Sequence, residues 1–271
     1  HNFADGLLIA SAFLVDFDLG LVTTLSVVLH EIPQQTGDYL VLVNAGIALT
    51  SVDTVTVSLS YAEASALTAS EGSALLAANV DTSNEPLLAN SENLTPYRLF
   101  ALENNQLTAI ESVGAAAGRE LVAVLGLALE DMRAISPDTG ALLFDSEVAG
   151  AQRTVDSLQQ QGVKHIIALT HLGHQRDLAL AAAVNGIDAI VGGHSHSLLG
   201  DFRHWYLGNQ RPYAELVVNP DGKAKTCVVQ AGQFAQALGQ AEIKFDATGA
   251  LLSCAGQNTL LAGTDYFRSA L

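Results

Sequence analysis

Short apolar runs alternate with segments of helical periodicity between residue 74 and about residue 191. The apolar runs predict buried strands at residues 74–80, 121–125, 164–170 and 187–191. Amphipathic patterns predict two helices, Glu147–Gln161 and Asp177–Val184. Strands and helices that alternate in this way are typical of an α/β layered fold, in which ligands gather at the carboxyl ends of the strands.

A different pattern begins near Tyr213. The segments there are rich in strand-forming residues, and two turn signals separate them. These signals are Asn-Pro-Asp-Gly at 219–222 and Asp-Ala-Thr-Gly at 246–249. We therefore expect β-hairpins in this part of the chain.

The first fifty residues are mostly apolar and do not alternate. Residues 19–48 are long enough to cross a bilayer as one helix, which Pro33 would kink. Two shorter buried helices joined at Pro33 are the soluble alternative. Residues 51–72 are rich in Ser, Thr and Ala without a clear period, so we expect a connector or a poorly defined helix there.

Composition keeps the membrane interpretation open and argues against nucleic-acid partners. The chain has 271 residues, of which 49% are hydrophobic and 15% are charged, and its mean hydropathy is +0.29. Its formal net charge of -16 would repel nucleic acids and anionic membrane surfaces. The chain begins at His1 without the pattern of a signal peptide, and we interpret it as a fragment.

The only two cysteines are Cys227 and Cys254, and each lies beside a strand-like segment. Two cysteines on neighbouring strands form a disulfide when the compartment is oxidising. Two unrelated buried thiols are the alternative, and the pattern does not decide between them.

Histidines follow two of the predicted strands. Residues 191–196 read Val-Gly-Gly-His-Ser-His, so His194 and His196 are two positions apart. In extended backbone this spacing places both side chains on one side. His171 follows the preceding strand, and three converging imidazoles suit a transition metal or a bridged metal pair. A hydrogen-bonded histidine at a strand end is the structural alternative for His171.

These motifs resemble those of the calcineurin-like metallophosphoesterases, in particular the periplasmic or secreted 5'-nucleotidase branch. The resemblance extends over about residues 74–262. The matching segments are Leu76–Asp81, Val124–Leu127 with Glu130 and Asp131, His165–Gly173, Gly186–His196, and Cys227–Gly232 with Leu238 and Gly239.

The resemblance implies two-metal hydrolysis of phosphate esters, with a nucleotide or another small phosphate ester as substrate. It implies that His171 and His194 bind one divalent ion, and that His196 binds the other; the ion is Zn, Mn, Co or Mg. It also implies a periplasmic or secreted location. The family's upstream Asp and His motifs are not recognisable before residue 74. We therefore expect a partial metallophosphoesterase-type layered sheet with flanking helices, preceded by a hydrophobic helical segment, and weak or absent turnover by this chain alone.

The first 48 residues resemble the fourth and fifth transmembrane helices of ZIP-family zinc and iron transporters. Residues 1–6 read His-Asn-Phe-Ala-Asp-Gly, and residues 30–33 read His-Glu-Ile-Pro. The resemblance implies metal transport as an alternative function, with membrane association through residues 1–50. The residues that it would place in a transport site are His1, Asn2, Asp5, His30, Glu31 and Gln34.

Together the two resemblances predict a chimeric chain. Its parts would be a ZIP-like membrane fragment (1–50), a connector (51–73), the C-terminal part of a nucleotidase-like domain (74–262) and a tail (263–271).

Overall fold

The structure is a computed structural model, and it describes most of the chain from residue 45 onward. The described residues are 45–50, 54–59, 75–85, 94–103, 106–135, 139–233, 237–246 and 248–261. Within these ranges the chain forms fifteen strands and three α-helices.

The strands are numbered in chain order. They are β1 (Ala45–Thr50), β2 (Thr54–Leu59), β3 (Leu75–Leu76), β4 (Val80–Asp81), β5 (Leu94–Thr95), β6 (Tyr97–Glu103), β7 (Gln106–Ile110), β8 (Glu120–Leu127), β9 (Leu143–Phe144), β10 (His165–Thr170), β11 (Ala189–Gly192), β12 (Glu215–Val218), β13 (Lys225–Val229), β14 (Ala237–Phe245) and β15 (Leu251–Leu260). The helices are α1 (Met132–Ile135), α2 (Glu147–Gln160) and α3 (His174–Ala183).

The main sheet contains seven described strands in the order β12-β13-β11-β10-β8-β6-β7. Its centre is parallel, because β10 pairs in parallel with both β8 and β11, and β11 with β13. Antiparallel strands close both sides, β12 on one and the β6–β7 hairpin on the other. The carboxyl ends of four parallel strands therefore meet at one edge of the sheet.

Helices α2 and α3 cover one face of this sheet. The Ser146 hydroxyl caps the amino end of α2 by accepting the Ala149 amide at 3.4 Å, and Gly162, in the left-handed conformation, follows its end. Buried side chains of the helices pack on those of the parallel strands. Members of this core are Leu125, Ala151, Val155, Leu158, Ile166, Leu180, Ile190 and Val228. This layer confirms the predicted α/β arrangement.

A four-stranded antiparallel sheet, in the order β1-β2-β14-β15, forms a second layer. Ile243 and Phe245 of β14 pack against Val124, Ile167 and Val229 on the other face of the main sheet. Cys227 of β13 and Cys254 of β15 form a disulfide with an S–S distance of 2.02 Å and a Cα–Cα distance of 6.0 Å. The disulfide therefore joins the two sheets.

Residues 45–59 differ from the prediction. Residues 45–50 were expected to end an apolar helix, and residues 51–72 were expected to be a connector. Instead Ala45–Thr50 and Thr54–Leu59 are paired antiparallel strands, and the second also pairs with β14. The sequence Thr-Val-Thr-Val-Ser-Leu of β2 alternates polar and apolar residues and is rich in β-branched side chains, as is typical of a strand. The prediction considered only the Ser, Thr and Ala content of residues 51–72 and missed this alternation.

Other predicted elements lie close to the observed ones. The predicted strand at residues 74–80 is two short strands, β3 and β4, separated by a turn. The turn signals 219–222 and 246–249 do connect antiparallel strands, β12 with β13 and β14 with β15. Sequence reasoning missed the β6–β7 hairpin.

Most of the predicted membrane segment (residues 1–50) falls on residues 1–44, which lie outside the described residues. Among the residues that the structure does describe, no helix is both long and apolar enough to span a bilayer. The division into four parts stays a prediction.

Candidate functional site

His171 and His194 lie side by side at the carboxyl edge of the main sheet. His171 is the first residue after β10, and its amide donates to the Leu127 carbonyl at 3.3 Å. His194 follows β11, the parallel neighbour of β10. Their ring centroids are 5.0 Å apart, with the planes inclined at 67°. Two adjacent parallel strands therefore bring together imidazoles that are far apart in sequence.

His196 lies on the same loop as His194, two residues further along the chain. Both residues have left-handed backbone conformations, with φ of 71° at His194 and 55° at His196. The backbone is thus not the extended one from which the shared side of the two rings was predicted. What keeps the histidines together is a tight turn.

Burial and neighbouring basic groups favour the neutral form of His194. Partial burial lowers its pKa, and the nearby imidazoles of His171 and His196 and the Arg176 guanidinium lower it further. A neutral imidazole is the form that binds a metal ion. The site therefore favours the ligand form of His194 near neutral pH.

A buried carboxyl group, that of Asp177, contacts the ends of both strands that precede the histidines. Asp177 of α3 accepts a hydrogen bond from the Thr170 hydroxyl and packs against Gly192, where a Cβ atom would clash with Asp177 Oδ2. Burial raises the pKa of Asp177 to about 7, although the Thr170 hydroxyl opposes this shift. A glycine is required at 192 because α3 approaches the strand so closely.

Gln230, just after β13, lies under the histidine loop and is 1% exposed. Its Nε2 donates to the Gly193 carbonyl, and its Oε1 accepts from the Ser197 amide and the Ser195 hydroxyl, both at 2.9 Å. The Ser195 hydroxyl also accepts the amide of His174 at 2.9 Å. One buried amide side chain thus connects both halves of the loop.

Two ion-pair groups flank the histidines. His174 Nε2 lies 2.7 Å from Glu215 Oε1, and Glu215 also binds Arg211 at 2.6 Å. Arg176 binds Asp131 at 2.7 Å and lies 3.3 Å from Glu147. The Arg176 guanidinium holds the pKa of Asp131 below its usual value, although slight burial opposes the shift.

No protein-family model matches this chain. Sequence relatives nevertheless exist. The trifunctional nucleotide phosphoesterase protein YfkN of Bacillus subtilis is 36% identical over 176 residues, which cover 65% of this chain and 11% of that protein. The human 5'-nucleotidase is 35% identical over 151 residues, which cover 53% of this chain and 25% of that protein. The chain therefore spans only a small part of the length of these curated relatives.

A crystal structure of a 5'-nucleotidase precursor from Thermus thermophilus has a similar fold. Its TM-score is 0.60 at 35% sequence identity, over 73% of this chain and 36% of that one. These likenesses support a calcineurin-like phosphoesterase or 5'-nucleotidase family for the C-terminal part of the chain. The expected phosphoesterase-type layered fold is confirmed.

Calcineurin-like 5'-nucleotidases generally depend on divalent metal ions. Two imidazoles that bind one ion tetrahedrally at about 2.0–2.1 Å have ring centroids about 5 Å apart. The 5.0 Å between the rings of His171 and His194 matches this requirement. In the described part of the chain, no three or more His, Cys, Asp or Glu side chains are grouped so as to hold an ion. The histidine pair thus fits two places in a metal shell, and the third ligand stays a prediction.

The ZIP-like residues lie outside the described part of the chain. His1, Asn2, Asp5, His30, Glu31 and Gln34 all fall before residue 45. The transport site therefore stays a prediction.

Sequence reasoning overlooked the supporting residues Gln230 and Asp177. Gln230 directly follows an apolar strand, as His171 does, and that position is the signal that could have drawn attention to it. Asp177 was included only as the first residue of a predicted helix. Its position one turn after the amino end of α3 gave no sign that it would be buried.

Proposed function

We propose that this chain carries part of the active site of a metal-dependent phosphohydrolase that releases phosphate from 5'-nucleotides. His171, His194 and His196 are its metal ligands, with His171 and His194 sharing one divalent ion. The ion is Zn, Mn, Co or Mg. The relatives named 5'-nucleotidase and nucleotide phosphoesterase support this substrate class.

One observation carries the proposal. Rings from two neighbouring parallel strands lie 5.0 Å apart at the edge of the sheet where α/β proteins bind their ligands. The lowered pKa of His194 keeps that ring available as a nitrogen donor.

The residues of the chain have distinct parts in this mechanism. A divalent ion held here would activate a water molecule and neutralise the oxygens of the phosphoryl group. His171 and His194 donate nitrogen ligands from fixed strand ends. Burial and, to a lesser extent, Arg176 favour the unprotonated form of His194, while Asp131 and Glu147 form ion pairs with the Arg176 guanidinium.

The disulfide also supports a compartment for this domain. Disulfides persist in oxidising surroundings, which include the periplasm and the extracellular space. The bond between Cys227 and Cys254 supports a periplasmic or secreted location for this domain. The snake-venom 5'-nucleotidase of Naja atra, 32% identical over 151 residues, is in keeping with such a location.

The test is release of inorganic phosphate from adenosine 5'-monophosphate, measured with Mn²⁺, Co²⁺ or Zn²⁺ added to the metal-stripped chain. We expect metal-dependent release that the substitution His194→Ala abolishes. His204→Ala is the matched control, because His204 is an exposed histidine on the loop beyond the site. The same assay tests the expectation that turnover by this chain alone is weak.

Metal binding without turnover separates an inactive chain from a wrong assignment. If the chain binds Co²⁺ through His171 and His194 but releases no phosphate, the ligand assignment stands and hydrolysis by this chain is refuted. If it neither binds nor turns over, the whole proposal fails.

A further inference from the structure

The turn between β11 and the following loop contains two residues in a costly conformation. His194 and His196 have φ values of 71° and 55° and are not glycines. A non-glycine residue held in the left-handed region is strained, and such residues persist only where surrounding contacts enforce them. The contacts that enforce this turn are therefore part of what places the imidazoles.

Gln230 supplies these contacts from outside the loop. Its Oε1 and Nε2 bind Ser197 and Gly193, the residues on either side of the two histidines. The two backbone partners also fix the orientation of the amide. A backbone amide must donate to an oxygen, and a carbonyl must accept from a nitrogen.

Because Gln230 is buried, the loop depends on these hydrogen bonds. Gln230 is 1% exposed, so water does not replace a hydrogen bond that it loses. The Ser195 hydroxyl lies between Gln230 and the amino end of α3, because it donates to Gln230 and accepts the His174 amide. The loop is thus tied to β13 and α3 at once.

We propose that Gln230 is a positioning residue, whose side-chain amide holds residues 193–197 in the turn that presents His194 and His196 together. It touches no substrate and ligates no ion. The inference that it tunes metal binding rests on the proposed function. The inference that it holds the turn does not.

The test replaces the amide by an apolar group of similar length, Gln230→Met. Asn219→Leu is the matched control. Asn219 is also a buried amide next to β13, 3% exposed, with Nδ2 within 2.9 Å of the Ala181 and Val184 carbonyls and 2.8 Å from the Thr226 hydroxyl. Thr226 lies near the amino end of β13, so this second amide is anchored away from the histidine loop.

Two quantities are measured on the full chain. The first is amide hydrogen exchange of the peptide that contains residues 193–197, without metal. We expect exchange to accelerate at least about 10-fold in Gln230→Met and to change little in Asn219→Leu. The second is the affinity for Co²⁺ alone, measured by calorimetry. Loss of a group that supports a ligand typically weakens metal affinity 10–100-fold, and we expect a loss in this range for Gln230→Met only.

The outcomes separate the two claims. Unchanged exchange in Gln230→Met overturns the proposal, whatever the metal does. Equal loss of Co²⁺ affinity in both variants overturns the claim that Gln230 tunes metal binding, because the effect is then one of general stability. If the unmodified chain binds no Co²⁺, the proposed function fails, while faster exchange in Gln230→Met still supports the positioning role.

Discussion

Strand β10 has a histidine at each end, and the two lie in opposite surroundings. His165 opens the strand and is buried, while His171 follows its carboxyl end beside another histidine. The ring of His165 contacts Phe245 at a centroid distance of 4.3 Å. The same residue type is thus a core side chain at one edge of the sheet and a candidate ligand at the other.

Burial explains the contrast. His165 Nε2 lies 3.4 Å from Glu120 Oε1, and its Nδ1 lies 3.9 Å from Asp188 Oδ2. Burial lowers the pKa of His165, and Glu120 opposes this shift. Burial raises the pKa of Asp188 to about 8, although the Ile166 amide, which it accepts at 2.8 Å, opposes the rise. At the amino edge the chain thus buries His165 and Asp188, whereas at the carboxyl edge it leaves His171 and His194 at least partly exposed.

The largest expected effect is on metal affinity, which should fall after a substitution at the carboxyl edge of the sheet but not after one at the amino edge. His194→Ala should weaken Co²⁺ binding at least about 100-fold, or about 2.7 kcal/mol, because supporting residues alone account for 10–100-fold. His165→Ala should change the affinity less than about 2-fold. Isothermal calorimetry measures both. Equal losses in the two variants would remove the distinction between the edges.

The next effect is on stability, and here the substitution at the amino edge should have the larger effect. His165→Ala should lower the free energy of unfolding by about 2 kcal/mol, because a buried ring that packs on Phe245 leaves a cavity. His171→Ala should change it by less than about 1 kcal/mol, since His171 is only partly buried. Urea unfolding with a constant m-value measures the difference. A larger loss for His171→Ala would contradict this assignment of roles.

A third effect is on the pH dependence of stability, to which the buried Asp188 at the amino edge contributes. Asp188 has a folded pKa of about 8, above the unfolded value of 3.8, so between these values the folded state binds the extra proton. This group therefore makes the free energy of unfolding fall as pH rises, by up to about 1.4 kcal/mol per pH unit. Asp188→Asn should flatten that slope between about pH 4 and pH 8, while its side-chain oxygen still accepts the Ile166 amide. Urea midpoints at several pH values measure it, and parallel profiles for the two proteins would disprove the raised pKa.

The smallest effect is at the surface of the amino edge. Glu120 is 44% exposed in its pairs with His165 and Lys164, the second at 4.0 Å. Glu120→Gln should therefore change the free energy of unfolding by less than about 1 kcal/mol. Thermal unfolding at low and high salt measures the change. A loss as large as that of His165→Ala would mean that the ion pair, and not burial, stabilises this edge.

Much of the candidate site was predictable from residues 164–196. The apolar runs identified β10 and β11, and the residues that follow each strand identified His171 and His194. Parallel pairing of consecutive strands then brings the rings together, as local patterns and the α/β rule suggest. The unequal surroundings of His165 and His171 were not predictable, because the partner Phe245 comes from a different sheet.

Residues 45–59 show why prediction failed elsewhere. An apolar run of this length is compatible with a buried helix or a strand, and the strand's hydrogen-bond partner decides between them. For β2 that partner is β14, near the other end of the chain. Without that pairing in view, an apolar helix was expected over residues 45–48 and strand β2 was not expected.

The sequence by itself determined the alternation of helices and strands over residues 147–191 and the placement of histidines after two strands, because periodicity and turn residues act locally. Only the tertiary structure decided which histidine is buried, that Cys227 meets Cys254, and that Gln230 supports a turn 37 residues earlier in the chain. These outcomes depend on burial and on contacts between distant segments. Neither is encoded in any single window of the sequence.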